Sequence, residues 1–135
     1  YWRPHVQARG DLMYHQIRER VSAGDTVKAA DFIAGWDELR ALRRDFAAFA
    51  AGYDAVLCPT VPILPPETER VAADGEYYKA ANLRALRNTR MGNLMGLCGV
   101  SLPTGVPSCG ILLNALPGRD GHLLRIAHAA AQALA

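Results

Sequence analysis

Met13, Ile17 and Val21 recur at a four-residue spacing that predicts a helix over 11–23, with Gly24 placed to cap its C-terminus. A longer helix is predicted over 29–51, where Phe32, Trp36, Leu39, Leu42, Phe46 and Phe49 fall in steps of three and four. Asp37, Glu38, Arg40, Arg43 and Arg44 fill its opposite face, so the stripe reads as a packing face, and Gly52 ends the helix. The pattern then changes. Ala55-Val56-Leu57-Cys58 is a short continuous apolar run of the kind that forms a strand buried on both faces. Pro59, Pro62, Pro65 and Pro66 stiffen an extended segment, and 67–76 is polar, leaving a stretch without periodicity until about Lys79. Such a stretch is either the wall or lid of a cleft or a surface excursion.

A short helix is predicted over 79–87. It leads into 87–105, where Gly92, Gly96 and Gly99 interrupt apolar residues and allow close backbone approach or positive φ. Strands follow at 99–103 and 110–116. After Pro117-Gly118, Asp120 offers an N-cap to a last helix carrying Leu123, Leu124, Ala127, Ala131 and Leu134. Three strands with apolar centres want helices on both faces, and alone they leave two edges needing cover. The fold class is α/β, and the sheet reads as the rim of a larger one.

Composition changes this picture little. A chain of 135 residues, 50% hydrophobic and 21% charged, has the size and balance of one globular domain. The net charge of +2, with basic residues interleaved among acids, gives no reason to expect a nucleic-acid or membrane surface. No apolar run is long enough for a transmembrane helix. Beginning at Tyr1, without an initiator Met or signal peptide, the sequence reads as a piece of something longer or a processed product. Cys58, Cys98 and Cys109 form no C-x-x-C pair and read as reduced core residues, which points to a cytoplasmic setting.

Candidate chemistry is sparse. His5, His15, His122 and His128 have no spacing that suggests a metal site, and no phosphate-binding or zinc-protease motif is present. Gly99-Val100-Ser101 shares G-x-S with the nucleophile elbow, but Pro103 stands where the second glycine belongs, so Ser101 reads as a strand residue. Cys58 or Cys98 as a thiol nucleophile has no supporting signature.

Five pieces nonetheless fall in a recognisable order. They are Ile17-Arg18-Glu19-Arg20-Val21 with Gly24; Ala29-Ala30-Asp31-Phe32-Ile33 and the helix carrying Arg43; Tyr53 to Pro62 with its Cys58-Pro59-Thr60 core; Arg87-Asn88-Thr89 through Asn93, Gly96, Ser101, Pro103 and Gly105; and Gly110-Ile111-Leu112-Leu113 followed by Leu123-Leu124-Arg125-Ile126-Ala127. Together they resemble the C-terminal third of an amidase-signature hydrolase, over nearly the whole chain. The resemblance implies the C-terminal portion of a mixed-sheet α/β/α fold with about three strands and four helices here. It further implies a C-terminal fragment of a single domain, helical over residues 1–52, with strands, proline-rich loop and final helix in 53–135.

The family hydrolyses carboxylic amides through an acylated serine, a second serine on a cis peptide and a lysine base. Its catalytic segments lie upstream of the region matched. This chain has no Gly-Gly-Ser-Ser-like run, and Lys28 and Lys79 lie in unlike contexts, so no catalytic residue carries over. The resemblance implies no cofactor and no metal. By match, Thr60, Pro62, Ile63, Arg87, Thr89 and Asn93 are the candidates for a substrate wall on the acyl side. Asn93 reads more readily as a buried turn-former than as a substrate contact, and Arg87 either holds a substrate carboxylate or anchors the adjacent helix. Amidotransferase subunits of the family resemble one another in placing an acid just before this block, whereas Ala85 and Leu86 stand here, which favours a neutral or acyl-type amide. The hairpin turn after Gly105 is shorter than the family's and is expected to be altered. The expected partners are the N-terminal catalytic part of the same protein and a small-molecule amide. The other reading is a non-catalytic truncated paralogue serving as a binding or assembly module, with a homodimer shielding the strand edges.

Overall fold

The computed structural model describes residues 1–134, which divide into two compact units, Tyr1–Glu38 and Leu39 onward. In the first unit, α1 (Arg3–Arg9) starts with Pro4 in its first turn, where a missing N–H costs nothing. A 3₁₀ turn at Gly10–Leu12 follows, closed by the Met13 N–H on the Gly10 carbonyl at 3.2 Å. Met13 and Tyr14 are extended, so α2 spans only His15–Ser22, and the helix expected over 11–23 is split. Periodicity misled here because Met13 keeps the spacing while lying outside the helix. Gly24 lies inside a second 3₁₀ turn (Ala23–Thr26) rather than in a left-handed cap. Arg3 Nε and Nη2 donate to Asp25 Oδ1 at 3.0 and 2.8 Å, and this hydrogen-bonded charge pair raises the guanidinium pKa further.

Helix α3 (Ala29–Ala50) runs through the division between the units. Its stripe is not the closed packing face expected, since Phe32 and Phe49 are exposed. The rings instead meet one another at the end of the helix and beyond it, Phe46 to Phe49 at 6.2 Å and Phe49 to Tyr53 of the following turn at 5.9 Å.

The second unit is built on three strands, β1 (Val56–Pro59), β2 (Cys98–Pro103) and β3 (Gly110–Ala115), in the order β1-β3-β2. Both pairings are antiparallel, so β1 and β2 run in the same direction on either side of β3. Register places Leu57, Leu113 and Val100 on one face, and Cys58, Leu112 and Ser101 on the other. The first face packs on α7 (Asp120–Leu134), whose Leu123 and Ala127 join Leu102, Leu113 and Ala115 in the core. Asp120 is the first residue of α7 rather than its cap. Helix α7 covers β2 and β3, so Leu57 at the β1 edge is 65% exposed and β1 is not buried on both faces.

The polar stretch expected to lack structure contains α4 (Thr68–Ala73) and the start of α5 (Gly75–Ala85). Asp74 joins them, its carboxylate accepting the N–H groups of Glu76 and Tyr77 at 3.0 Å each. Arg70 lies 4.0 Å from the Tyr77 ring centroid, a cation–π contact across the two helices. This extends the helix expected over 79–87 back to Gly75 and ends it at Ala85. A further helix, α6 (Arg87–Met95), occupies the start of the glycine-interrupted segment and stops at Gly96, whose φ of +72° closes the last turn. Arg43 Nε of α3 donates to the Leu94 carbonyl at 2.7 Å, placing a cation on the α6 C-terminus. The described residues therefore hold seven α-helices, several short, and the expected three strands. No helix among them is long and apolar enough to cross a membrane.

Candidate functional site

The second face of the sheet opens where β1 and β2 both end. Beyond Pro59 the chain keeps strand geometry for one more residue, and the Thr60 N–H donates to the Gly110 carbonyl at 2.8 Å. Thr60 and Ser101 then lie on the same face with β3 between them. Their hydroxyls meet above Gly110, Thr60 Oγ1 to Ser101 Oγ at 2.6 Å. Only a residue without a side chain permits this: a Cβ on Gly110 would lie 2.8 Å from Thr60 Oγ1 and 3.3 Å from Ser101 Oγ. Each hydroxyl carries one proton, so one donates to the other and the acceptor keeps its own proton for a third group.

This pair faces an open groove of about 520 Å³, walled also by Val61, Pro103 and the β2–β3 turn through Ser108 and Cys109. The turn is tight and internally bonded. The Cys109 N–H donates to the Val106 carbonyl at 3.1 Å, the Thr104 hydroxyl donates to the Cys109 carbonyl at 3.2 Å, and Ser108 sits at φ +62°. A second hollow of about 240 Å³ adjoins it, lined by Pro59, Pro62, Ile63 and Leu64 opposite Ser108 and Cys109. Neither hollow has an Asp, Glu, Lys, Arg or His in its wall. The site can therefore select by shape and by hydroxyl and backbone hydrogen bonds, at the carboxyl ends of two like-directed strands.

Of the residues singled out from sequence, Thr60 lines the first groove and Pro62 and Ile63 line the second. Arg87, Thr89 and Asn93 stand on α6 and line neither. Arg87 is exposed, Thr89 Oγ1 donates to the Leu86 carbonyl at 3.3 Å, and the Asn93 side chain is exposed while its carbonyl accepts the Gly96 N–H at 3.3 Å. Ser101 is a strand residue as expected, yet its side chain faces the groove. Ser108, Cys109 and Gly110 were not anticipated. The two-residue alternation of β2, which sets Gly99 and Ser101 opposite Val100 and Leu102, was the available signal for Ser101. Of the cysteines expected in the core, Cys58 and Cys98 are half-buried but Cys109 is exposed. His122 Nε2 lies 2.9 Å from Asp54 Oδ1, away from the groove, and among the described residues no cluster of His, Cys, Asp and Glu could hold a metal ion.

No family model and no solved structure matches the chain. Curated relatives do. The 2-amino-5-chloromuconic acid deaminase of Comamonas testosteroni is 30% identical over 92% of this chain and 27% of its own length. The A subunit of glutamyl-tRNA(Gln) amidotransferase from Ruegeria sp. is 33% identical over 94% of this chain and 27% of its own. Its counterpart from Jannaschia sp. is 35% identical over 84% of this chain and 24% of its own. The chain thus spans about a quarter of the length of these relatives, which are amidase-family enzymes. With the order of segments and the α/β fold, this places the chain in the amidase-signature family, as a portion of its C-terminal type.

Proposed function

We propose that these residues form the C-terminal part of an amide-hydrolysing enzyme and supply core strands and the acyl-side wall of its substrate pocket. The serine, cis-serine and lysine that do the chemistry belong, in this reading, to an N-terminal part of the same protein and the same domain. Thr60, Pro62 and Ile63 form the wall, and Arg87, Thr89 and Asn93 of α6 meet the substrate only where that N-terminal part brings it across the helix. The reaction class is supported by relatives whose names, a deaminase and amidotransferase subunits, describe nitrogen leaving or joining carbon. The substrate is a neutral carboxamide released as acid and ammonia, in a cytoplasmic setting and without a cofactor.

One observation carries the choice of substrate: a groove at the strand ends whose wall offers hydroxyls and apolar surface and no charge. A carboxylate or ammonium brought against such a wall would lose hydration without a counter-charge. The test is ammonia release by the complete protein carrying this chain, from propionamide and benzamide against succinamate and glutamine. Turnover of the neutral amides, with KM raised in Thr60→Val, is expected. Turnover confined to the charged amides, or none at all, refutes the proposal.

A further inference from the structure

Between Pro59 and α6 the chain leaves the sheet, forms α4 and α5, and returns. Both ends of this excursion meet at one hydrogen bond: Asn88 Nδ2, on the first turn of α6, donates to the Pro59 carbonyl at 2.7 Å. The direction of that carbonyl gives the bond its meaning. Across a trans peptide, the carbonyl of one residue and the N–H of the next point opposite ways. The Thr60 N–H points inward to the Gly110 carbonyl of β3, so the Pro59 carbonyl points outward, off the unpaired edge of β1. Asn88 thus satisfies an edge acceptor one residue before Thr60.

Helix α6 is itself held to the sheet one turn further on. Gly92, four residues after Asn88 and on the same helix face, is buried so closely over Asn114 that a Cβ would lie 3.2 Å from its Oδ1. Asn114 is 2% exposed and donates to Cys58 Sγ at 3.7 Å. The Asn88 amide therefore projects from a helix seated against the sheet and bridges from it to the strand end. Pro59, Thr60 and the 61–64 segment lining both hollows follow directly from it.

We propose that Asn88 is a positioning residue for the groove. By clamping the Pro59 carbonyl it sets where Thr60 meets Ser101 and where Pro62 and Ile63 stand, without touching the ligand. That the wall contacts an amide substrate rests on the proposed function; that Asn88 sets the wall does not. Two variants separate the ideas. Asn88→Asp keeps the shape and suits the helix N-terminus but puts an acceptor against an acceptor, whereas Asn88→Ala removes the group.

Amide hydrogen exchange on the protein is expected to accelerate about threefold to tenfold in both variants at Thr60, whose N–H is bonded to the Gly110 carbonyl, with β2 and α7 unchanged. Exchange unchanged at Thr60, or accelerated uniformly with a fall in Tm, overturns the proposal. In the complete protein, propionamide and benzamide serve as kinetic probes. A KM raised about threefold to tenfold at unaltered kcat is expected, and a lowered kcat at unaltered KM overturns the positioning role. If the wild type hydrolyses neither probe, the amidase reading falls, and the exchange measurement still decides the role of Asn88.

Discussion

Replacing Gly110 by alanine isolates the arrangement on which the groove depends. The new Cβ would stand 2.8 Å from Thr60 Oγ1, 3.3 Å from Ser101 Oγ and 3.4 Å from the Leu102 carbonyl. Reaching ordinary van der Waals contact requires Thr60 Oγ1 to retreat by at least about 0.6 Å. The threonine must then rotate, breaking its 2.6 Å hydroxyl bond, or β1 must part from β3 and stretch the 2.8 Å bond from the Thr60 N–H. Overpacking of this kind costs about 1–3 kcal/mol, and the lost hydrogen bond belongs to that sum. The φ of Gly110 is not left-handed, so alanine recovers about 0.4–1 kcal/mol by restricting the unfolded chain. The balance is a loss of about 1–2 kcal/mol, a fall of roughly 4–8 °C in Tm. A double-mutant cycle in urea, followed by circular dichroism, assigns the cause. Thr60→Ala removes the obstructing atom, so Gly110→Ala should cost about 1 kcal/mol less in that background. A neutral Gly110→Ala, or additivity with Thr60→Ala, would show that the hydroxyl pair does not depend on the missing side chain.

Two further substitutions probe the sheet on either side of this point. Leu123 is 1% exposed between α7 and the first sheet face, so Leu123→Ala should destabilise by about 2–5 kcal/mol, measured by urea unfolding, and a loss under about 1 kcal/mol would contradict the core described. Ser108 holds φ +62° in the turn of the groove, so Ser108→Gly should stabilise by up to about 1 kcal/mol while Ser108→Val destabilises; equal Tm values for the two would place the strain elsewhere.

What could be read from sequence divides along a physical line. The strands were legible because their apolar runs are short and bounded by Pro and Gly, and their ends fell within a residue or so of Val56–Pro59, Cys98–Pro103 and Gly110–Ala115. Helix α3 was legible because 22 residues of periodicity average out local exceptions. Helix α4 is six residues long with one half-buried side chain, Val71, so it carries no stripe to detect; its last turn is closed by the Asp74 N–H on the Arg70 carbonyl, and Arg70 lies over the Tyr77 ring of α5. Helix α6 was hidden by Gly92, which lowers helix propensity and is present for a contact made only in three dimensions. Of the site, Thr60, Pro62 and Ile63 were reachable only through the family resemblance, which sets the loop after this strand on the acyl side. Ser108, Cys109 and Gly110 belong to the groove through pairing of β3 with both neighbours, a non-local relation no local pattern expresses.

The composition of the groove argues for a division of labour within the proposed enzyme. General acid–base catalysis needs a group whose pKa lies near the working pH, and the titratable side chain in this wall is the exposed thiol of Cys109. The Thr60–Ser101 pair is bonded hydroxyl to hydroxyl, with no base in that contact to withdraw a proton from either oxygen. A nucleophile reacting beside this wall would therefore draw its base from elsewhere. The wall's contribution to rate is then confined to placing the acyl group, which is worth most when the wall is rigid. Rigidity here is arranged from outside the groove: Gly110 lets the hydroxyls meet, the Thr60 N–H ties β1 to β3, and Asn88 holds the strand end from α6. Each of these restrains Thr60, and none of them requires a charge where a neutral acyl chain would lie.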